Sequence, residues 1–334
     1  MSLILLILFS EPSLANESLH IIVTGVTGDV LQNIQNSLTV EQKRYNKQEP
    51  TVDNRQRFYQ DASNIIQQAV KPYGYFHAKV QSNLSYEANE WTADFHVIPG
   101  PLLHVTGLDI KVTGPGQLNP EIQKFIHHFP MKEGDVLLTK SYEDAKIAFF
   151  QVVNDQGYVK AILIKKELRI DLARNTAVII LHMDTGPRYY FGALNFSDSP
   201  FATSFLNRFA EFHPGDPFSP QKVLKFQQDL ESSHYFREAS VTPDFNAAEN
   251  SQIPTQVKLT AYKAKQYKLG VGYGTFTGPR LLAGVDWRHI GDSGQHFTAL
   301  AKFSPVLRGL AVKYFIPGTK PLTDQYTLGA NIQE

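Results

Sequence analysis

The apolar residues of this chain repeat with one period up to about residue 265 and with another after it. In the first stretch, three segments show helical spacing. They are Phe58, Ile65, Ile66, Ala69 and Val70, then Ala145, Ala148, Phe149, Val152 and Val153, then Val223, Leu224, Phe226 and Leu230. Each is followed by two strand-like runs, at 78–86 and 91–97, 161–170 and 177–183, and 239–245 and 256–262. Opening strands are predicted at 20–23, 103–112 and 189–196, and a shorter first helix at 30–38, 121–129 and 202–212. Strand, helix, helix, strand, strand therefore occurs three times in a row.

The residues themselves repeat at a domain-sized period, the mark of tandem units. Gly74-Tyr75-Phe76, Gly157-Tyr158-Val159 and His234-Tyr235-Phe236 each follow a second helix, and their tyrosines lie 83 and 77 residues apart. Pro72, Gly74 and Gly157 are the residue types that stop a helix. Two loops, Glu133-Gly134-Asp135-Val136-Leu137 and Pro214-Gly215-Asp216-Pro217-Phe218, recur before the second helix. In the first copy a polar insert at 41–51 stands in that place.

From Gln266 the period becomes two. Tyr267, Leu269, Val271 and Tyr273 alternate with Lys268, Gly270, Gly272 and Gly274. Leu281, Ala283, Val285 and Trp287 alternate with Leu282, Gly284, Asp286 and Arg288, and Phe297, Ala299, Ala301 and Phe303 with Thr298, Leu300, Lys302 and Ser304. Two more segments follow around 310–316 and 325–332. Alternating segments of about ten residues, separated by Gly, Pro, Asp and Ser turns, are the pattern of an outer-membrane barrel with every second residue facing lipid. Five strands do not close a barrel, so the protein is expected to continue past Glu334.

The element order, the glycine-aromatic turn after helix two and the Gly-Asp loops resemble the POTRA domain. The segment 267–275, with Gly278-Pro279-Arg280 and Trp287 after it and Pro317-Gly318 further on, looks like the start of the barrel in the TamA branch of the BamA-like outer-membrane assembly superfamily. Three copies fit that branch rather than BamA itself or the two-partner secretion transporters. The resemblance implies α+β POTRA repeats followed by the first strands of an incomplete antiparallel transmembrane β-barrel. It divides the chain into POTRA units at 18–101, 102–187 and 188–264 and barrel strands at 265–334. The function it implies is assembly and insertion of autotransporter or other β-barrel substrates at the outer membrane, with the repeats in the periplasm. The implied partners are unfolded outer-membrane proteins, outer-membrane lipid and an inner-membrane-anchored TamB-like subunit docking on the first repeat. Tyr267, Leu269, Gly270, Val271, Gly272, Tyr273 and Gly274 become the first strand of a lateral gate that offers its edge to an incoming strand. Gly74, Tyr75, Gly157, Tyr158, Tyr235 and Phe236 become the turn after helix two. The alternative is a passive polypeptide-secretion pore of the two-partner type.

Composition changes this picture little. Lys plus Arg is 32 and Asp plus Glu is 32, so no excess of one sign points to nucleic acid. There is no cysteine, which excludes a disulfide framework, thiolate metal ligation and a cysteine nucleophile. The apolar run 3–9 and the small residues of Ser13-Leu14-Ala15 read as a signal peptide cleaved after Ala15, with only the terminal amine as positive charge before it. Gly291-Asp292-Ser293-Gly294 matches the nucleophile tetrapeptide of trypsin-like proteases, yet it joins two alternating strands, where a hairpin turn needs those residue types. His127 and His128 are adjacent on a helix and diverge, so no metal is expected, no cofactor is called for, and nothing asks for an enzyme. The glycines at 270, 272 and 274 have two readings. They let a barrel strand coil tightly, or they leave a strand without side chains to lock its register.

Overall fold

The computed structural model describes residues 19–46, 52–87, 90–197, 199–276 and 278–334. The expected signal peptide lies outside them. The first copy runs β1 (Leu19–Thr24), α1 (Gly28–Asn46), α2 (Val52–Val70), β2 (Lys79–Glu87) and β3 (Glu90–Ile98). The second runs β4 (His104–Thr113), α3 (Pro120–His127), α4 (Thr139–Asp155), β5 (Ile162–Asp171) and β6 (Thr176–Asp184). The third runs β7 (Tyr190–Ser197), α5 (Thr203–Leu206), α6 (Pro220–Ser232), β8 (Phe236–Pro243) and β9 (Gln252–Ala261). Each makes a three-stranded sheet with its last strand in the middle, in the orders β1-β3-β2, β4-β6-β5 and β7-β9-β8. In the first and third sheets the central strand runs parallel to the opening strand and antiparallel to the hairpin partner.

The chain forms two compact units. One comprises the residues up to Lys111 with Ile126–Ala148 and Ile164–His182; the other comprises Val112–Phe125, Phe149–Leu163 and Met183–Glu334. In the first unit, alternate residues of β3 (Ala93, Phe95, Val97) meet Ile34 and Leu38 of α1 and Phe58, Ala62 and Ile66 of α2 in one core. Full burial of a side chain such as Phe95 contributes about 1.5–3 kcal/mol, so the period-two stripe of β3 and the helical stripes of α1 and α2 are enough to orient these elements. In the second unit the third copy has an aromatic core, with Phe191, Phe201, Phe205, Phe209, Phe212 and Phe226 among its members.

Two helix expectations need correction. The first helix does not stop at 38. Glu41, Gln42, Lys43 and Arg44 are good helix formers, an Arg44–Glu41 pair forms at 3.5 Å, and α1 carries the first part of the polar insert to Asn46. The remainder of the insert, 47–51, lies outside the described residues. The helix expected at 202–212 shrinks to one α-turn, Thr203–Leu206, and a 3-10 turn, Asn207–Phe209. The chain leaves helical geometry at Ala210, at φ −79° and ψ 129°, which lets Phe212 stack on Phe191 at 3.8 Å.

The last 70 residues form β10 (Lys265–Gly274), β11 (Gly278–Ile290), β12 (Gln295–Ser304), β13 (Leu307–Pro317) and β14 (Gln325–Gln333). They pair in chain order as one antiparallel sheet. All five alternating segments are strands. No helix among the described residues is long and apolar enough to cross a membrane, a test that does not bear on strands.

Candidate functional site

The cross-strand register sorts the sheet into two faces. Tyr267 stands beside Val285, Ala299, Val312 and Ala330 in turn, and Leu269 beside Ala283, Ala301, Leu310 and Ile332. A row of Lys265, Trp287, Phe297, Tyr314 and Leu328 ends this apolar face, with the Lys265 Nζ 4.3 Å from the Trp287 ring centre. The opposite face carries Lys268, Gly284, Leu300, Ala311 and Asn331, then Gly270, Leu282, Lys302, Gly309 and Gln333. One face suits hydrocarbon and the other water, the requirement for a barrel wall.

All seven residues expected in the gate strand fall on β10, at an edge of this sheet. Tyr267, Leu269, Val271 and Tyr273 are 71%, 87%, 86% and 80% exposed. The glycines face the other way. A Cβ at Gly272 would meet nothing within 4 Å, and one at Gly270 would lie 3.6 Å from Leu282 Cβ. A cavity of about 580 Å³ opens beside them, with Arg280, Leu282, Lys302 and Leu307 in its lining. Among the described residues β10 pairs with β11 alone, so its outer row of backbone donors and acceptors is open to another strand.

The turn residues lie at three separate places, and each is a junction. The amide of Leu103, just before β4, donates to the Gly74 carbonyl at 3.0 Å; the amide of Tyr189, just before β7, donates to the Gly157 carbonyl at 2.7 Å. Both glycines are left-handed, at φ 88° and 93°. In the third copy the equivalent bond is shifted by one residue and runs from Tyr262 N to Tyr235 O at 2.9 Å. His234 stands where the other copies have glycine. Positive φ among the described non-glycine residues occurs only at Asn175, Asn250 and Ser251, so no glycine is needed there.

The Gly-Asp loops complete these junctions. Gly134 N donates to Val105 O, Val105 N to Asp135 O and Leu137 N to Leu103 O; Gly215 N to Phe191 O, Phe191 N to Asp216 O and Phe218 N to Tyr189 O repeat the pattern. The aspartates close the turn from inside, accepting from Lys132 N at 2.7 Å and His213 N at 2.9 Å. The second of these junctions has further ties that the repeat pattern could not show. Ser219 Oγ donates to Asp155 Oδ1 at 2.5 Å while capping α6, and Arg188 Nε donates to Gln156 O at 2.8 Å with its guanidinium over Tyr158 and Tyr190.

Residues 20–99 match the family model described as POTRA domain, TamA domain 1. The first copy is therefore similar to a POTRA domain of the TamA type. Among solved structures, BamA from Haemophilus ducreyi lacking POTRA domains 1–3 has 19% identity and a TM-score of 0.56, over 69% of this chain and 42% of that one. BamA POTRA3–5 of Haemophilus influenzae (16% identity, TM-score 0.42, 73% of this chain and 96% of that one) and CdiB from Acinetobacter baumannii (14%, 0.42, 70% and 44%) also match. At 19% identity the likeness to the first of these is one of fold. The chain spans less than half the length of the first of these structures. Its fold is POTRA-like α+β copies followed by an antiparallel sheet resembling part of a BamA-like barrel.

The third POTRA-like copy holds the protease-like tetrapeptide. Gly291–Gly294 is the turn between β11 and β12, its Ser293 Oγ donates to Asp292 Oδ1 at 2.9 Å, and His296 stacks on Phe315 at 4.1 Å. Ala202 N donates to Asp292 O at 2.9 Å and the Tyr235 phenol donates to Gly294 O at 2.6 Å. Burial pushes the Tyr235 phenol up to about 12. On the second POTRA-like copy, Asp109 accepts from Lys111 at 2.8 Å and contacts His182 Nε2 at 2.9 Å, which holds its carboxyl below the usual carboxylate range, Lys111 being the larger cause. No group of three or more His, Asp or Glu among the described residues is placed to hold a metal ion.

Proposed function

We propose that this protein is an outer-membrane assembly factor, whose POTRA-like copies lie in the periplasm and whose sheet forms the opening strands of a transmembrane barrel. Its substrates are unfolded β-barrel or autotransporter proteins, and an inner-membrane-anchored TamB-like subunit docks on the first POTRA domain. No nucleic acid, cofactor or covalent step takes part.

The observation that carries this reading is β10, which among the described residues is an edge strand with an apolar face, a polar face and an open row of backbone groups. An unpaired amide or carbonyl in hydrocarbon costs several kcal/mol, so an unfolded strand entering a membrane gains most from an edge it can pair with at once. Pairing with β10 satisfies one side of the incoming strand and sets its apolar residues beside Leu269 and Val271. A passive secretion pore is the second reading, favoured by the cations Lys268, Lys302 and Lys313 on the polar face.

The absence of native cysteine gives a direct test. Leu269→Cys reports on the edge and Lys302→Cys on the polar face. A urea-unfolded β-barrel protein with one cysteine in its last strand is diluted into vesicles holding the variant, and disulfides are trapped. Assembly at the edge gives cross-links at residue 269. Cross-links confined to residue 302 would overturn this reading in favour of the pore.

A further inference from the structure

The third POTRA-like copy touches the sheet at two successive turns on the same end. At the β11–β12 turn, Tyr235 Oη donates to Gly294 O at 2.6 Å and Ala202 N donates to Asp292 O at 2.9 Å. The Gly294 Cα rests on the Phe205 ring so closely that no Cβ fits, and its φ of 76° is left-handed as well. The His289 ring stands edge-on to Phe201 at 5.2 Å. At the β13–β14 turn, Arg208 Nη1 donates to Gly318 O at 3.3 Å. Phe201, Phe205 and Tyr235 belong to the copy's own core, so the turn is seated in that core rather than on a loop.

Tyr235 occupies the repeat position of Tyr158. The Tyr158 phenol donates to Pro115 O within its own copy, at 3.4 Å. The third copy has turned the same position outward, onto the sheet. Being 8% exposed, with its phenol donated to a carbonyl, Tyr235 cannot exchange this bond for water without opening the core.

We infer that Tyr235, Phe205 and Gly294 form a clamp that fixes the β11–β12 turn, and with it β11 to β14, to the third POTRA-like copy, while β10 past its first residues pairs, among the described residues, with β11 alone. Tyr235 is a positioning residue. Any force applied to the third copy, by a partner or a bound substrate, moves β11 to β14 as one body. The clamp stands on its own geometry; that β10 is then the strand exchanged with a substrate rests on the assembly reading above.

The test uses spin-label pairs on the full chain in detergent, in its cysteine-free background. Leu224 on α6 and Val306 in the β12–β13 turn are 52% and 63% exposed and suit one pair; Leu269 and Leu328, at 87% and 65%, give a pair within the sheet. The clamp predicts a narrow 224–306 distance distribution. Tyr235→Phe, which removes only the hydroxyl, broadens it by on the order of a doubling, and Gly294→Ala does so by lifting the turn off Phe205, while the 269–328 distance stays unchanged. Tyr235→Phe keeps the ring in the core, so it remains informative if Gly294→Ala does not fold. A broad 224–306 distribution in the parent, or a parent-like width in Tyr235→Phe, overturns the clamp. An intact clamp with no cross-link at residue 269 would overturn the assembly reading and leave the clamp standing.

Discussion

Four left-handed glycines with nearly equal φ allow backbone strain to be separated from lack of space. Gly74, Gly134, Gly157 and Gly215 have φ of 88°, 94°, 93° and 92°. Alanine at any of them carries a left-handed penalty of about 1–2 kcal/mol, of which about 0.4–1 is recovered by restricting the unfolded chain. At Gly134 and Gly215 a new Cβ meets nothing within 4 Å, so Gly134→Ala should cost about 0.5–1 kcal/mol net. At Gly74 the Cβ would lie 2.9 Å from Val136 Cγ1, a side chain that can rotate, and the cost is intermediate. At Gly157 the Cβ would fall on the Tyr189 carbonyl oxygen, which cannot move without breaking Tyr189 N to Gly157 O and Phe218 N to Tyr189 O. Losing those two bonds adds about 1 kcal/mol each, for a total near ~3 kcal/mol. Hydrogen exchange reads this directly. In Gly157→Ala the amides of Tyr189 and Phe218 should lose protection by about a hundredfold, whereas in Gly134→Ala the amides of Val105 and Leu137 should change by less than about fivefold. Equal losses in the two variants would refute the argument from space, and a protected Tyr189 amide in Gly157→Ala would refute the junction.

Two other outcomes follow from the structure. Leu269→Arg puts a charge on the apolar face at mid-strand, costs about 2–4 kcal/mol at a bilayer midplane, and should abolish co-flotation with vesicles that Lys268→Arg, on the opposite face, leaves intact. Asp109 has a folded-state value lowered from 3.8, so its contribution to stability is present above the unfolded value and lost as pH falls through the folded one. Asp109→Asn should therefore lower the urea midpoint at pH 7, and the difference from the parent should vanish once the pH is below that lowered value.

How much of this was legible in the sequence depends on the range of the interaction involved. The strands of all three copies and the sheet were visible because period-two stripes such as Ala93, Phe95 and Val97 record which face is buried, a local property. The helix expected at 202–212 stops short: Phe201, Phe205 and Phe209 fit helical spacing, while the stacking of Phe212 on Phe191 that ends it joins residues 21 apart. The Gly-Asp loops are visible as a repeat, but their bonds to β4 and β7 cannot be deduced from spacing. Ser219, Arg188 and Gly294 left no periodic signal at all, since each acts at one junction only. The residue types of Gly291-Asp292-Ser293-Gly294 mark it as a turn, and what seats it in the third copy's core is Tyr235, whose repeat position the sequence shows.

The glycines of β10 illustrate why exposure on one side matters more than composition. Three glycines in a strand would blur its register if side chains on that face were the only guide. Yet β10 pairs with β11 without a break from Lys265 opposite Trp287 to Gly274 opposite Gly278. The apolar face fixes it, because a slip by one residue would move Tyr267, Leu269, Val271 and Tyr273 onto the polar face. The same four side chains, with the bare glycines behind them, meet any strand that pairs on the open side. Such a strand is constrained by the apolar face and almost unconstrained opposite Gly270 and Gly272. An edge of this kind constrains the apolar face of a pairing strand and leaves the residues on its other face free to vary, which is what the assembly reading proposed above calls for.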